Sequence, residues 1–507
     1  IITNVVFESN RVDEPKPDLA SSEIKGEGGG LHLGTAGTVN VRNSTFIMNA
    51  AKSGGALAAI ANTNVSLSTA NIAGNTAESN GGGVVVVLGS LVSDNDVYTN
   101  NAAGGAGGAA YFLSSLSPII MRNGTAIGNE ALSSGGALEV SGSSLDLRDS
   151  YFRSNGRAAC LTQSCALSGG GLMLRSQSQG KIRGTTFEGN TAANGAAVAL
   201  QDATMEATLC EIINNTAKDK GGGVDARSSQ SLQLRNITFD GNVAPDGGGL
   251  HLKEVPATRC TPAQKAARTC GAALESLTVR NNRAAVGAGV YIDNCEEATV
   301  VSSIFEKNTA TEEELEASMV DDRAAEVEGG AVFCFGTAKL NLTNIDIRLN
   351  EAKTRDCLPE DDCAKGWRKR FNTIRGKGAG LAARDCSGNL TGVKFENNTA
   401  NEAGGLLWKG NQNNPQNYPI ENLIDGSFIA NVGKVNPALI VWDPETCFDP
   451  DPMDDIWLPC MVGCTQFAGG FEFGGGCIVP NTTTDTNRRR LDAHMRRRLF
   501  GAGGMNP

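Results

Sequence analysis

The chain has 507 residues, more than one ordinary globular core accommodates, which would suggest several domains. It contains 63 glycines while aromatic residues make up only 5%, and this composition excludes a single large core built from bulky side chains. Acidic residues exceed basic ones by 55 to 44, and the resulting net charge of −11 argues against nucleic acid or an anionic membrane as a partner.

A repeated element runs through most of the chain. An asparagine recurs three residues after a bulky apolar residue, as in Phe46 to Asn49, and weaker copies have Ile, Val or Ala in place of Phe. The shortest spacing, from Asn190 to Asn215, is 25 residues, and a period of this length indicates a solenoid whose units stack on one another. The asparagines of this series are Asn10, Asn49, Asn75, Asn100, Asn129, Asn155, Asn190, Asn215, Asn242, Asn282, Asn308, Asn350, Asn398 and Asn431.

Glycine clusters follow most of these asparagines and lead into short apolar runs, as in Gly54-Gly55-Ala56-Leu57. Glycine pairs disfavour helices by about 1 kcal/mol per residue, and the segments between them have strand length. We therefore predict an all-β fold, a right-handed parallel β-helix of about fourteen coils with three short strands each. In it, glycines turn corners, phenylalanines fill the interior and the asparagines stack as a hydrogen-bonded amide ladder.

Segments such as Thr45-Phe46-Ile47-Met48-Asn49 followed by Gly54-Gly55-Ala56-Leu57 resemble the repeat of the chlamydial polymorphic outer membrane proteins. Similar repeats occur in extracellular proteins of algae and other protists. The resemblance covers residues 1–440 and implies a right-handed β-helix with an adhesin role.

Three regions follow from the repeat pattern. We predict the β-helix over residues 1–440, a Cys-rich cap over 441–480 and a disordered Thr/Arg-rich tail over 481–507. Long spacings place insertions at residues 11–25, 156–168, 253–271, 310–327, 351–376 and 409–421, and insertions in solenoids often carry their contacts. The chain begins with Ile1 and has no signal peptide, so we expect it to be a piece of a longer precursor.

The chain has fourteen cysteines, an even number typical of disulfides. Several lie close in sequence, which suggests local staples within loops rather than cross-links through the core. Zinc is the alternative, but only Cys460 and Cys464 approach its usual ligand spacing. The candidate local disulfide cysteines are Cys160, Cys165, Cys260, Cys270, Cys357, Cys363, Cys447, Cys460, Cys464 and Cys477.

Nine Asn-x-Ser/Thr sequons lack proline in the middle position, and none of them uses an asparagine of the ladder. This separation is consistent with N-glycosylation in a eukaryotic secretory pathway. The candidate acceptors are Asn43, Asn64, Asn123, Asn214, Asn236, Asn341, Asn389, Asn397 and Asn481.

Catalytic signatures are weak. The chain has three histidines, the paired acids Asp321-Asp322 and Asp361-Asp362 fall in insertions, and Gly221-Gly222-Gly223-Val224-Asp225 is an isolated match to a calcium-binding repeat. We therefore expect no cofactor, no metal and no catalytic residues. No stretch of eighteen apolar residues occurs, so no transmembrane helix is predicted.

The function we expect is that of a non-enzymatic secreted or cell-surface glycoprotein, acting as a scaffold, an adhesin or a filament subunit. Its partners would be other protein subunits or glycans, and not nucleic acid. The alternative is a β-helix enzyme that binds or cleaves polysaccharides.

Overall fold

The computed structural model describes residues 1–12, 26–34, 37–115, 117–162, 167–255, 271–311, 327–337, 339–353, 376–409, 420–424, 426–429, 431–435 and 439–442, together with the short strands 467–468, 471–473 and 477–479. Within these residues the chain winds into coils that form three long sheets and a narrow sheet that is divided into segments of four, two and five strands. Each strand of a coil pairs in parallel with its equivalents in neighbouring coils. The predicted right-handed parallel β-helix is confirmed.

The Gly-Gly sheet follows the glycine pairs. Its strands are Leu31–Leu33, Leu57–Ala59, Val84–Val87, Ala110–Leu113, Leu138–Ser141, Leu172–Arg175, Val198–Gln201, Val224–Arg227, Leu250–Lys253, Val290–Asp293, Val332–Phe335, Leu381–Arg384, Leu406–Lys409 and Leu439–Trp442. The second sheet comes next in each coil. Its strands are Ile2–Thr3, Gly37–Arg42, Thr63–Ser68, Ser90–Asp94, Ile119–Arg122, Ser144–Arg148, Gln179–Arg183, Thr204–Thr208, Ser231–Arg235, Gly271–Glu275, Ala298–Val301, Leu340–Thr343, Gly388–Thr391, Ile420–Ile424 and Phe467–Ala468.

The Phe sheet carries the phenylalanines of the repeat. Its strands are Val6–Glu8, Thr45–Ile47, Asn71–Ala73, Val97–Thr99, Thr125–Ile127, Tyr151–Arg153, Thr186–Glu188, Glu211–Ile213, Thr238–Asp240, Thr278–Arg280, Ile304–Glu306, Asp346–Arg348, Lys394–Glu396, Ser427–Ile429, Phe471–Phe473 and the antiparallel Cys477–Val479. Strands of the second and Phe sheets beyond residue 440 thus lie in the region predicted as a cap.

The narrow sheet was not predicted, since the sequence indicated only three strands per coil. It forms because the two or more residues after each ladder asparagine pair with their equivalents in the next coil. Its strands are Ala50–Ala51, Thr76–Ala77, Ala102–Ala103, Glu130–Ala131, Thr191–Asn194, Thr216–Lys220, Arg283–Ala284, Thr309–Thr311, Glu351–Lys353, Thr399–Glu402 and Val432–Val435, with isolated bridges at Gly156 and Val243.

The glycine pair is required by two separate constraints, as Gly81 and Gly82 illustrate. Gly81 has φ +66°, and a Cβ there would lie 2.3 Å from the carbonyl oxygen of Val84. Gly82 packs against the next coil, where a Cβ would lie 2.4 Å from the carbonyl oxygen of Gly108. The first glycine therefore allows the turn and the second allows the coils to approach.

The interior is a single continuous core of stacked side chains. Phe46, Phe152, Phe187 and Phe395 are each at most 1% exposed. Rings in neighbouring coils stack directly, with centroids 5.0 Å apart for Phe152 and Phe187. Phenylalanine fills the interior as predicted.

Helical structure is minor. The described residues contain one 3₁₀ helix, Ala158–Leu161. None of the helical structure in the described ranges is long and apolar enough to span a membrane.

Candidate functional site on the outer face of the Gly-Gly sheet

Coil length varies only beside the Gly-Gly sheet. Throughout the described residues, two residues connect each second-sheet strand to the following Phe-sheet strand, and two more lead from there to the narrow sheet or its isolated bridge. All six predicted insertions instead lie between the narrow sheet and the Gly-Gly sheet, or between the Gly-Gly sheet and the second sheet. The chain therefore enters and leaves each insertion between the Gly-Gly sheet and one of the two sheets next to it.

The outer face of the Gly-Gly sheet has a buried floor. Strand residues alternate between the interior and the outside, and the second residue of each strand points outward. The floor residues from Ala58 to Leu407 are nevertheless at most 8% exposed. This floor column consists of Ala58, Val85, Tyr111, Glu139, Met173, Ala199, Asp225, His251, Tyr291, Phe333, Ala382 and Leu407.

Apolar residues occupy both ends of this floor and charged residues its centre. Ala58, Val85 and Tyr111 form one apolar cluster with neighbouring side chains, and Tyr291 and Phe333 belong to another. Between them lie three ionisable residues, Glu139, Asp225 and His251. Buried ionisable groups require partners, so the central part of the floor is where specific chemistry is concentrated.

Glu139 lies at one side of this central region and is fully buried. Ser134 donates a hydrogen bond to its Oε2, and Arg175 Nη2 lies 2.6 Å from its Oε1. Burial raises the pKa of Glu139, while the Ser134 hydrogen bond and the Arg175 charge act in the opposite direction. Burial also raises the pKa of the adjacent Tyr111.

Asp225 and His251 form a buried pair in neighbouring coils. His251 Nδ1 lies 2.7 Å from Asp225 Oδ1, and Arg227 Nε lies 2.7 Å from Asp225 Oδ2. His251 is fully buried, its ring meets the edge of Tyr291 at a centroid distance of 5.1 Å, and its Nε2 has no hydrogen-bond partner. A carboxylate that orients an imidazole leaves the other nitrogen available to accept a proton.

Further ion pairs on this face also join neighbouring coils. Arg384 pairs with the buried Glu328, and Lys253 Nζ lies 3.6 Å from Asp293 Oδ2. These pairs cross from one coil to the next, as Arg175 and Glu139 do. They hold adjacent coils together along the face, because a buried charge that lost its partner would be strongly destabilising.

The two floor carboxylates are too far apart to act as a pair. Glu139 is in register with Met173, which is in register with Ala199 and then Asp225, so three coil steps separate them. At about 4.8 Å per step the separation is about 14 Å. Paired acids in glycosidases lie about 5 to 9.5 Å apart, so Glu139 and Asp225 do not form such a site. Within the described ranges, no group of three or more His, Cys, Asp or Glu residues is placed to hold a metal ion.

The ladder asparagines form one column of amide hydrogen bonds. Each Nδ2 donates to the Oδ1 of the asparagine in the next coil at 2.8 to 3.0 Å, from Asn10 through to Asn431. One predicted member is wrong, because Asn101 and not Asn100 occupies the column. Asn100 is the corner residue before it, with φ +52°, and the buried aromatic of this coil is Tyr98 rather than Val97.

The sequons lie away from the Gly-Gly sheet. Eight of the nine acceptors fall in the described ranges, and none of these eight lies on that sheet or at its edges. Asn43, Asn123 and Asn236 lie at corners between the second and Phe sheets, Asn214 and Asn397 lie at corners between the Phe and narrow sheets, and Asn64, Asn341 and Asn389 lie on the second sheet. Asn341 and Asn389 are half-buried and the other six are exposed. Asn481 lies outside the described residues.

The cysteines show a cross-link that the sequence did not predict. Cys334 and Cys386 form a disulfide between neighbouring coils, and both are fully buried. The expectation of local loop staples alone is therefore wrong. Cys160 is also disulfide-bonded, and Cys477 lies in the strand Cys477–Val479. The other predicted cysteines, Cys165, Cys260, Cys270, Cys357, Cys363, Cys447, Cys460 and Cys464, lie outside the described residues.

Among the described residues, Cys210 and Cys295 are free thiols, and both are buried. Burial raises the pKa of Cys295 to about 12. Because a thiol with so high a pKa is protonated at neutral pH, Cys295 is chemically inert in the folded chain.

Comparison with known proteins supports the fold assignment. The family model described as "Right handed beta helix region" matches residues 107–254 and 170–353. No curated protein matches the sequence. The family match over residues 107–353 agrees with the sheet topology of a right-handed parallel β-helix.

Proposed function

We propose that this protein is a non-enzymatic extracellular glycoprotein, secreted or held at a cell surface, which serves as a scaffold, an adhesin or a filament subunit. In this proposal it meets its protein partners through the outer face of the Gly-Gly sheet. The β-helix supplies a rigid rod, and the insertions that border this sheet supply what is specific to the protein.

The observation that carries the proposal is the segregation of insertions from sequons. The insertions border the Gly-Gly sheet, whereas the eight described acceptor asparagines lie on the second sheet or at the two corners that flank the Phe sheet. N-linked glycans are bulky and hydrated, so a surface that packs closely against a protein partner must be free of them. This arrangement fits a rod that is glycosylated on two sides and makes its protein contacts on the third.

The disulfides support an oxidising compartment. The bond between Cys334 and Cys386 and the bonded state of Cys160 are typical of secreted and surface proteins, because cytosolic thiols are kept reduced.

The ion pairs of the floor support a structural role. Glu139 and Glu328 each pair with an arginine of the next coil, so their charges hold coils together. The distance of about 14 Å between Glu139 and Asp225 does not suit two-carboxylate chemistry.

Peptide mass spectrometry of the protein secreted from a eukaryotic host tests this proposal. We expect glycans at exposed corner acceptors such as Asn123 and Asn236, and a linked peptide that contains Cys334 and Cys386. A secreted protein without glycans, or a chain that is retained in the cytosol with reduced cysteines, would contradict the proposal.

The second candidate is a polysaccharide-binding or polysaccharide-cleaving enzyme, and it is favoured by the Asp225–His251 pair with its unpartnered Nε2. Incubation of the purified protein with polygalacturonate and alginate distinguishes the two functions. If the protein is an enzyme, oligosaccharides will be released by the wild type and not by His251→Gln. If it is a scaffold, neither will release them.

A further inference from the structure

Arginines line up on the outer face of the second sheet. Arg122, Arg148 and Arg183 occupy equivalent positions in three consecutive coils and are in direct register. They are exposed, and their backbones are separated by one strand spacing of about 4.8 Å per coil. We refer to these three residues as the arginine column.

Two arginines of this column make no ion pair among the described residues, although Asp94 is the cross-strand neighbour of Arg122. Arg148 is held by Asp146 through two contacts of 2.6 and 2.7 Å. In the part of the chain that the structure describes, neither Arg122 nor Arg183 makes an ion pair. Like charges directly opposite each other on neighbouring strands are destabilising, so the column carries a cost that a bound anion would relieve.

The surroundings leave the arginine column positive. On the outer face of these three coils, Lys181 adds a fourth cation, whereas Asp146 and the corner residue Asp149 contribute two negative charges. Within these three coils the net charge is about +2, against −11 for the whole chain. Two acids of adjacent coils flank the column: Glu206 lies 3.7 Å from Lys181, and Asp94, which is in direct register with Arg122, accepts a hydrogen bond from Asn123.

We propose that the arginine column binds a linear acidic polysaccharide, one that bears sulfate or carboxylate groups, with its chain running parallel to the rod axis. This inference rests on the extracellular location proposed above. Guanidinium groups suit such anions because they donate two parallel hydrogen bonds to a planar or tetrahedral oxyanion. A row of cations that repeats at every coil matches a polymer that carries an anionic group on successive sugars.

Nucleic acid fits this surface less well. Phosphate contacts dominate the affinity for nucleic acids and require extended positive surfaces. Here the cations form a single line of three arginines, which is not an extended positive surface.

Binding to immobilised heparin and to polygalacturonate at low ionic strength tests the proposal, with the variant Arg122→Gln/Arg183→Gln. Each exposed guanidinium makes one charge-assisted contact with an anionic group of the polymer, so we expect affinity to fall by about tenfold for each arginine lost. The matched control is Arg42→Gln, which lies at the equivalent position on the second sheet and is exposed, but is followed in register by Ser68. This control should change the affinity less than twofold.

A gain-of-function variant makes the test sharper. Asp146→Asn releases the Arg148 guanidinium and removes a negative charge from the column, so binding should tighten by up to about fivefold. Arg42, Arg122 and Arg183 are exposed and Asp146 is half-buried, and circular dichroism confirms that each variant is folded.

Three results would overturn the proposal. The first is that the wild type binds neither polymer, also after its N-glycans have been removed enzymatically. The others are equal affinity of the wild type and the double arginine variant, or equal losses of affinity in the double variant and in Arg42→Gln. None of these results bears on secretion, glycan occupancy or disulfide bonding, so the proposed function is tested separately.

Discussion

Replacement of Asn242 by alanine should destabilise the β-helix strongly, because this residue lies in the middle of the amide ladder. Asn215 donates to Asn242 Oδ1 through its backbone N–H at 3.1 Å and its Nδ2 at 3.0 Å. Asn242 Nδ2 in turn donates to Asn282 Oδ1 at 2.9 Å and to the carbonyl oxygen of Ile212 at 2.8 Å. The variant removes four hydrogen bonds at a fully buried site.

The magnitude follows from the groups that are left without partners. The buried backbone N–H of Asn215 loses its acceptor entirely, and its Nδ2 retains only the carbonyl oxygen of Phe187. Each unsatisfied buried group costs about 1 to 3 kcal/mol, so Asn242→Ala should lower the free energy of unfolding by about 3 to 6 kcal/mol. Asn242→Asp should also destabilise, because a buried carboxylate can accept from Asn215 but cannot donate to Asn282.

Asn10 provides a matched control at the first position of the ladder. It is exposed, and both of its ladder bonds, from the backbone N–H at 3.0 Å and from Nδ2 at 2.8 Å, go to Asn49 Oδ1. Alanine there leaves the backbone bond in place and strands no buried donor. We expect Asn10→Ala to cost less than about 1 kcal/mol.

Urea unfolding combined with native-state hydrogen exchange measures this difference. Coils contact only their neighbours, so the Asn215 amide should exchange much faster in Asn242→Ala, while amides several coils away change little. Equal losses of stability for Asn242→Ala and Asn10→Ala would show that the buried ladder bonds do not stabilise the β-helix as proposed. Unchanged protection of the Asn215 amide against hydrogen exchange would show the same.

Three further predictions concern other buried or strained positions. Burial raises the pKa of Asp96 from 3.8 to about 6, so the folded chain binds a proton that the unfolded chain releases. Its contribution to stability therefore falls by about 2 kcal/mol as pH rises from 4 to 6, and Asp96→Asn should abolish this dependence in unfolding curves recorded across that range. Leu209 is 54% exposed and has φ +56°, a left-handed conformation that asparagine adopts more readily than leucine. Asn236 occupies the equivalent corner of the next coil, so Leu209→Asn should raise the free energy of unfolding in urea by about 1 kcal/mol. The bond between Cys334 and Cys386 spans 52 residues, and its replacement by two alanines should cost about 4 kcal/mol in the same assay; an unchanged midpoint would contradict the predicted contribution.

The repeat could be assigned from sequence because its residues obey local constraints. A glycine pair before an apolar run marks a corner, and a phenylalanine three residues before an asparagine marks the strand and the ladder position that follows it. The assignment failed where two asparagines are adjacent. Asn100 satisfies the spacing from Val97, but Asn101 satisfies the spacing from Tyr98, and the larger side chain is the one that fills the interior.

The candidate site could not be located from sequence, because it depends on which corner each insertion occupies. The insertions were recognised from long spacings, but only the order of sheets within a coil shows that all of them border the Gly-Gly sheet. Glu139 and Asp225 were also overlooked as floor residues. The available signal was a charged residue between two apolar ones directly after a glycine pair, as in Gly223-Val224-Asp225-Ala226.

The disulfide between Cys334 and Cys386 was missed for a related reason. A separation of 52 residues carries no information until the repeats are aligned. Aligned in register, the two cysteines fall in adjacent coils, one on a Gly-Gly strand and one at the corner after the next Gly-Gly strand.

The central claim is that the outer face of the Gly-Gly sheet contacts the partner, and glycan masking can test it. Phe335→Asn creates a new glycan acceptor on this face, because Gly336 and Thr337 follow it, and Phe335 is 38% exposed. The control is Lys307→Asn, which creates an acceptor at the same corner position as the sequon residue Asn397, outside this face.

The decisive measurement is the binding of fluorescently labelled protein to the surface of the cells from which it comes, with glycan occupancy of both variants verified by mass spectrometry. We predict that the glycan introduced by Phe335→Asn abolishes binding, whereas the glycan introduced by Lys307→Asn leaves binding at the wild-type level. Full binding by glycosylated Phe335→Asn, or equal loss in both variants, would contradict it.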